Sequence, residues 1–229
     1  MIAEWINSTF HGFDYAILQF CHNLAESAGG ILGPIMEFLA FIGDNGYLCF
    51  ALALILLLFP KTRKCGVCII FAVGVGALFT NIAIKNIVAR PRPYASEVEA
   101  FKEWWTYAGA HLESEFSFPS GHTTAAVAGM LATCLCFFKK HKWIVAPTAF
   151  YAVIMGFSRN YLMVHYPTDV IAGFIVGSAA AVIAFFLAKL LFAALEKHSD
   201  VKLFGFVLNF DPLSIFKKNK NESADNAQD

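Results

Sequence analysis

What this sequence has little of is charge. Asp, Glu, Lys and Arg make up 15% of its 229 residues, against about 25% in soluble globular domains, and that deficit excludes an ordinary water-soluble domain. Basic and acidic residues balance at 17 each, so no positive field stands ready for a phosphodiester chain, and no nucleic-acid partner is expected. The apolar runs are of helical rather than strand length, which excludes an outer-membrane barrel. The start lacks a basic segment followed by a compact apolar core, so no cleavable signal peptide is expected. Nor do carboxylates gather into the oxygen-rich set that Mg²⁺ requires; neither a metal nor another cofactor is expected.

What the sequence has in abundance is apolar side chains, 58% of the chain, with 24 phenylalanines among them. Their long runs predict an all-α fold, a polytopic transmembrane helical bundle of about five spanning helices preceded by N-terminal interfacial amphipathic helices. Phe13, Ile17, Leu18, Cys21 and Leu24 recur at helical spacing while Asp14, Gln19, His22 and Asn23 take the other face, the pattern of a helix lying on a membrane surface. Residues 1–42 therefore read as an interfacial segment, although a single crossing within 13–42 is left open. Residues 43–195 read as the membrane domain and 196–229 as a polar, disordered cytoplasmic tail. Gly43-Asp44-Asn45-Gly46 is a turn, with Asp44 or Asn45 capping the helix that follows. The six cysteines sit in or beside apolar runs and read as small buried side chains, although Cys65-x-x-Cys68 and Cys134-x-Cys136 share one membrane face.

Two short basic turns, 60–64 and 139–142, fall on one side by helix parity, and the positive-inside rule makes that side cytoplasmic. The end of the second span near Val88, the start of the third near Pro119, the end of the fourth near Phe157 and the start of the fifth at Pro167 then emerge on the extracytoplasmic face. Every chemically suggestive residue lies at these four ends. Lys85 falls within an apolar run, where a cation needs a partner. Arg90 and Arg92 stand on the face that positive-inside bias disfavours, which suggests a bound anion. Pro119 is expected in the first turn of its helix, with Ser120 and Gly121 offering a hydroxyl, open N–H groups and no obstructing side chain to a phosphate. His122 would stand beside that anion. Arg159 supplies a planar fork suited to phosphate oxygens. Pro167 starts a helix whose first turn holds Asp169, placed to reach back to His165 and leave its Nε2 free as a nucleophile or base.

Taken singly, each has a bland reading: a snorkelling lysine, a positioning arginine, an interfacial histidine. Taken together they make three cations, one helix N-terminus, two histidines and a carboxylate on one face, the parts that stabilise a phosphoryl group in flight. His165 would attack phosphorus while a protonated His122 serves the departing oxygen. Trp104, Trp105 and Tyr107 either brace a headgroup or anchor the interface, and Glu97, Glu99, Glu103, Glu113 and Glu115 read as a solvated face with His111 incidental among them.

Lys85-x6-Arg92-Pro93, Pro119-Ser120-Gly121-His122 and Ser158-Arg159-x5-His165-x3-Asp169 resemble the three signature blocks of the type 2 phosphatidic acid phosphatase superfamily, over roughly residues 40–195. The resemblance implies a metal-independent membrane phosphatase with a phosphohistidine on His165, Asp169 as its partner, and His122 as acid and later base. It assigns the phosphate to Lys85, Arg92, Ser120, Gly121 and Arg159. A small chain with an outward site points to undecaprenyl diphosphate as the lipid substrate, with phosphatidylglycerophosphate or phosphatidic acid as the alternative. Vanadate-dependent haloperoxidases share the blocks but are soluble. A non-catalytic lipid-phosphate binder or transporter would tolerate loss of either histidine, and both are present. Gly173 and Gly177 fit either helix association between copies or internal packing, leaving the oligomeric state open.

Overall fold

A computed structural model describes residues 1–211, and every regular element among them is helical. Small residues decide how the central helices meet. Helices α4 (Arg63–Ala77), α7 (Gly121–Phe137) and α9 (Pro167–Lys197) pack against one another through Ala72, Ala128, Ala132, Ala180 and Ala184. A Cβ on Gly177 would lie 2.6 Å from the Thr124 carbonyl oxygen, and one on Gly173 would lie 2.9 Å from that of Ser120. The GxxxG spacing thus serves close approach of α9 to α7 within the chain. Gly177→Val should therefore push the two backbones apart. The expected penalty is about 1–3 kcal/mol, to be read as a lower midpoint of thermal inactivation in detergent. Large apolar side chains such as Phe150, Ile175, Phe186 and Leu190 point outward instead, the arrangement suited to a hydrocarbon solvent.

Among the described residues three helical stretches are long and apolar enough to cross a membrane, Leu32–Leu57, Arg63–Ala95 and Pro167–Lys197. Two further helices of 17 residues each, α7 and α8 (Val145–Tyr161), stand beside them. The first stretch joins α2 (Leu32–Gly43) to α3 (Tyr47–Leu57) through a single turn, with Asn45 at φ 48° and Gly46 at φ 75°. The turn is where the sequence places it, but neither Asp44 nor Asn45 caps α3. Its N-cap is Gly46, without a side-chain bond.

Ahead of these, α1 (Ile2–Ser27) turns Asp14, Leu18, Cys21 and Ala25 inward. The loop ahead of α7 folds a short helix, α6 (Glu99–Tyr107), onto it. Trp104 stacks on His22 with ring centroids 5.3 Å apart, and Trp105 stacks on Tyr94 at 4.6 Å and donates its indole N–H to the His111 carbonyl at 2.8 Å. Both tryptophans are thus held by neighbouring rings within the chain. Helix α4 runs through a π-turn, Leu78–Ile84, into α5 (Lys85–Val88), and such a turn re-aims the side chains that follow it. After α9 a short helix, α10 (Lys202–Asn209), lies where Arg63 donates to the carbonyls of Leu208 and Phe210. The rest of the expected polar tail, residues 212–229, is outside the described residues. All six cysteines are free thiols, four of them buried.

Candidate active site

Tyr166 before Pro167 is extended, as the residue ahead of a proline must be, and serves as N-cap of α9 in a capping box with Asp169. That local geometry fixes residues 162–166 as a tight link from α8 and buries His165 to 1% exposure. His165 Nε2 lies 3.1 Å from Arg92 Nη1. A guanidinium can only donate, so Nε2 is the bare acceptor and the ring proton resides on Nδ1. Nδ1 faces Ser117 Oγ at 3.4 Å and Asp169 Oδ2 at 3.6 Å, and Ser117 itself donates to that carboxylate oxygen at 2.5 Å. The direct His165–Asp169 contact expected from sequence is thus relayed through Ser117. Burial first, then the cations Arg92, Arg159 and Lys85, push His165 well below the usual histidine range, so its ring is neutral at neutral pH.

Asp169 is fully buried and accepts three hydrogen bonds. Its Oδ2 takes Ser117 and the Tyr166 amide at 2.9 Å, while Oδ1 takes Arg90 Nη1 at 2.6 Å; with His165 behind, the carboxylate is closed on all sides. Arg90, 1% exposed, is the hub. It donates to Asn7 at 2.7 Å, to Thr168 at 2.7 Å and to Asp14 at 2.8 Å, and lies 3.7 Å over the Tyr166 ring. Asp14 in turn accepts the Thr168 amide at 3.0 Å. One arginine therefore ties the N-terminal helix to the carboxylate behind His165.

In front of His165 a cavity of about 260 Å³ is lined by Lys85, Arg92, Gly121, His122 and His165, together with Asp44, Glu113 and Glu115. The two histidines share it, and His122 Nε2 is 3.6 Å from Asp44 Oδ1. A Cβ on Gly121 would be 3.7 Å from Lys85 Nζ, so the open first turn of α7 and the lysine face one another. Not every expected residue is on the wall. Asp169 and Arg159 do not line it, although Arg159 pairs with Glu113, which does. Ser120 is fully buried and caps α7, its Oγ accepting from Thr123 N at 3.4 Å and Thr123 Oγ1 at 2.9 Å. Pro119 accordingly lies before the cap and not in the first turn, because Ser120 supplies a side-chain acceptor for the free amides.

Two glutamates read as solvated form ion pairs at the site, Glu113 partly buried and Glu115 still half exposed. Glu115 pairs with Lys85, while Glu113 pairs with Arg159 and lies 3.7 Å from Arg92. Arg92 is further clamped by the carbonyls of Glu115 and Val164, each at 2.9 Å. His111 is not idle either, lying 3.0 Å from Glu37. Ser117, Arg90, Asp14, Glu113 and Glu115 were absent from the expected site. The one signal available was Arg90 itself, a second arginine on a face that disfavours them.

A sequence description of the PAP2 superfamily matches residues 65–193, more than half of the chain. The chain belongs to the PAP2 superfamily. This PAP2 chain is 31% identical over 147 residues, 64% of its length and 66% of the other's, to an undecaprenyl-diphosphatase of Sulfolobus acidocaldarius. It is 32% identical over 168 residues, 69% of its length and 74% of the other's, to phosphatidylglycerophosphatase B of Bacillus subtilis. Among solved structures it resembles the transmembrane PAP2-type phosphatidylglycerolphosphate phosphatase of Bacillus subtilis, with TM-score 0.60, 28% identity, and coverage of 83% of this chain and 90% of that one. It is a membrane phosphatase of the PAP2 superfamily, all-helical as its sequence predicts.

Proposed function

We propose that this chain releases phosphate from a lipid phosphate monoester or diphosphate through a phosphohistidine on His165, with undecaprenyl diphosphate as the leading substrate. The observation that carries the reading is the fixed tautomer of His165: Arg92 on one nitrogen and the Ser117–Asp169 relay on the other leave an unprotonated Nε2 in a cavity shared with His122. Nε2 attacks phosphorus as the bond to the leaving oxygen breaks, and His122, which takes up a proton when the phosphate anion binds beside it, gives that oxygen its proton. Water then attacks phosphorus, losing a proton to His122 as the P–N bond breaks and His165 recovers its lone pair. Lys85, Arg92, Arg159 and the first-turn amides of Gly121 and His122 hold the equatorial oxygens, with Ser120 shaping that turn. The site belongs to the face opposite the basic turns, the extracytoplasmic one. A second reading, phosphatidylglycerophosphate, is favoured by the Bacillus subtilis relative and its wider coverage.

Phosphate release by the purified protein against undecaprenyl diphosphate, phosphatidylglycerophosphate, phosphatidate and a water-soluble diphosphate tests the substrate. Undecaprenyl diphosphate should give the highest kcat/KM; a preference for phosphatidylglycerophosphate selects the second reading. Chelators should leave the rate unchanged, and a strict requirement for added Mg²⁺ would remove the metal-free mechanism. The pH profile follows from His165. Its folded value is lowered, so the neutral nucleophile survives below the ordinary imidazole value of about 6.5, and the acid limb of kcat/KM should fall under that pH. Stability has the same sign. Unfolded chains take up the proton first, so this site's contribution is whole above about pH 6.5 and is lost as pH falls toward the folded value.

A further inference from the structure

A second cavity, of about 820 Å³, opens between the later half of α7, the early half of α8 and the middle of α9. Met130, Leu131 and Phe185 give it an apolar wall, and among the described residues its charged lining consists of Lys64, Lys139 and Lys189. These lysines gather toward one end. Lys64 is the second residue of α4, Lys139 follows the end of α7, and Lys189 lies in the last third of α9. Lys64 Nζ sits 5.8 Å over the Phe192 ring, which holds it against α9. Helix α7, at about 1.5 Å per residue, puts roughly 25 Å between that end and His122, and the two cavities share no lining residue.

We propose that this groove binds an anionic phospholipid from the leaflet on the lysine side, its acyl chains between α7, α8 and α9 and its phosphate on Lys64, Lys139 and Lys189. The charge pattern selects that occupant. A zwitterionic lipid brings its own cation to three ammonium groups that have no carboxylate among the lining residues, whereas an anionic headgroup supplies the missing counter-charge. Free phosphate would satisfy the lysines but leave the apolar slot open to water, which acyl chains fill.

The test is binding of phosphatidylglycerol and phosphatidylcholine with identical chains to the purified full-length protein in detergent, read by native mass spectrometry. Phosphatidylglycerol should be retained at least about tenfold more tightly, roughly 1.4 kcal/mol, and excess inorganic phosphate should not displace it. The combined variant Lys64→Gln, Lys139→Gln, Lys189→Gln should bring the two lipids to parity. Ala149→Trp, which fills the groove from α8, should abolish retention while phosphate release from a short-chain substrate continues at the wild-type rate; Ser178→Phe, from α9, does the same if that variant does not fold. Equal binding of the two lipids, an undiminished preference in the triple glutamine variant, or displacement by inorganic phosphate would overturn the proposal.

Discussion

His165→Ala is expected to lower turnover by at least about 10⁴-fold, the scale seen when an enzyme loses its nucleophile, while the protein remains inserted and folded. His122→Ala should behave differently, and the contrast identifies the two roles. Against a lipid substrate it should cost about 10²–10⁴-fold, the usual worth of a positioned acid or base. With an aryl phosphate, whose leaving group needs no proton, the first step should proceed and the second should stall. Labelled phosphate would then stay on the protein in an acid-labile, base-stable form, and would be absent from His165→Ala. Equal labelling of both variants would put the covalent phosphate on another residue, and a His165→Ala variant that keeps its activity without label would mean that water attacks phosphorus directly.

The second large effect lies away from the cavity. Arg90→Met removes the cation from between Asp14 and Asp169, which are 2% and 0% exposed, and leaves two buried carboxylates facing one another. Breaking such a pair from one side typically costs about 3–5 kcal/mol. The thermal inactivation midpoint in detergent should therefore fall sharply, and the remaining folded enzyme should be slow because Asp169 no longer has its charge balanced behind His165. Arg90→Lys should recover little, since one ammonium cannot reach Asn7, Thr168, Asp14 and Asp169 as the fork does. Adding Asp14→Asn to Arg90→Met should restore part of the lost stability. No recovery in that double variant would mean that the cost is lost packing against Tyr166 and not unpaired charge.

These two experiments separate what local sequence discloses from what it hides. His165, Pro167 and Asp169 stand within one turn of each other, so capping rules alone place them, and the carboxylate does reach back toward the imidazole. Lys85, Arg92 and His122 were legible because charge is conspicuous at the ends of apolar runs. Arg90 and Asp14 are 76 residues apart in the chain, and nothing in a local window says that the N-terminal helix will dock on a relay. Ser117 was silent for the same reason, a plain serine in a polar loop. The pairing of Glu113 and Glu115 was hidden because acidic residues in a loop are ordinarily solvated, as Glu115 in part remains, and only the fold of that loop brings them to Arg159 and Lys85. Pro119 shows one rule overriding another: proline suits a first turn, but the adjacent serine offers a hydroxyl to the open amides and takes the cap.

With the phosphate held as proposed, the ion pairs of Glu113 and Glu115 give ligand capture the character of ion exchange. Three cations, Lys85, Arg92 and Arg159, come with two resident counter-ions, so an arriving headgroup trades places with carboxylates instead of entering a bare positive field. The driving force is then the difference between two electrostatic energies. A weakly charged diester gains little from the trade, whereas a diphosphate brings enough charge to complete it, which is a filter set before any bond to phosphorus is touched.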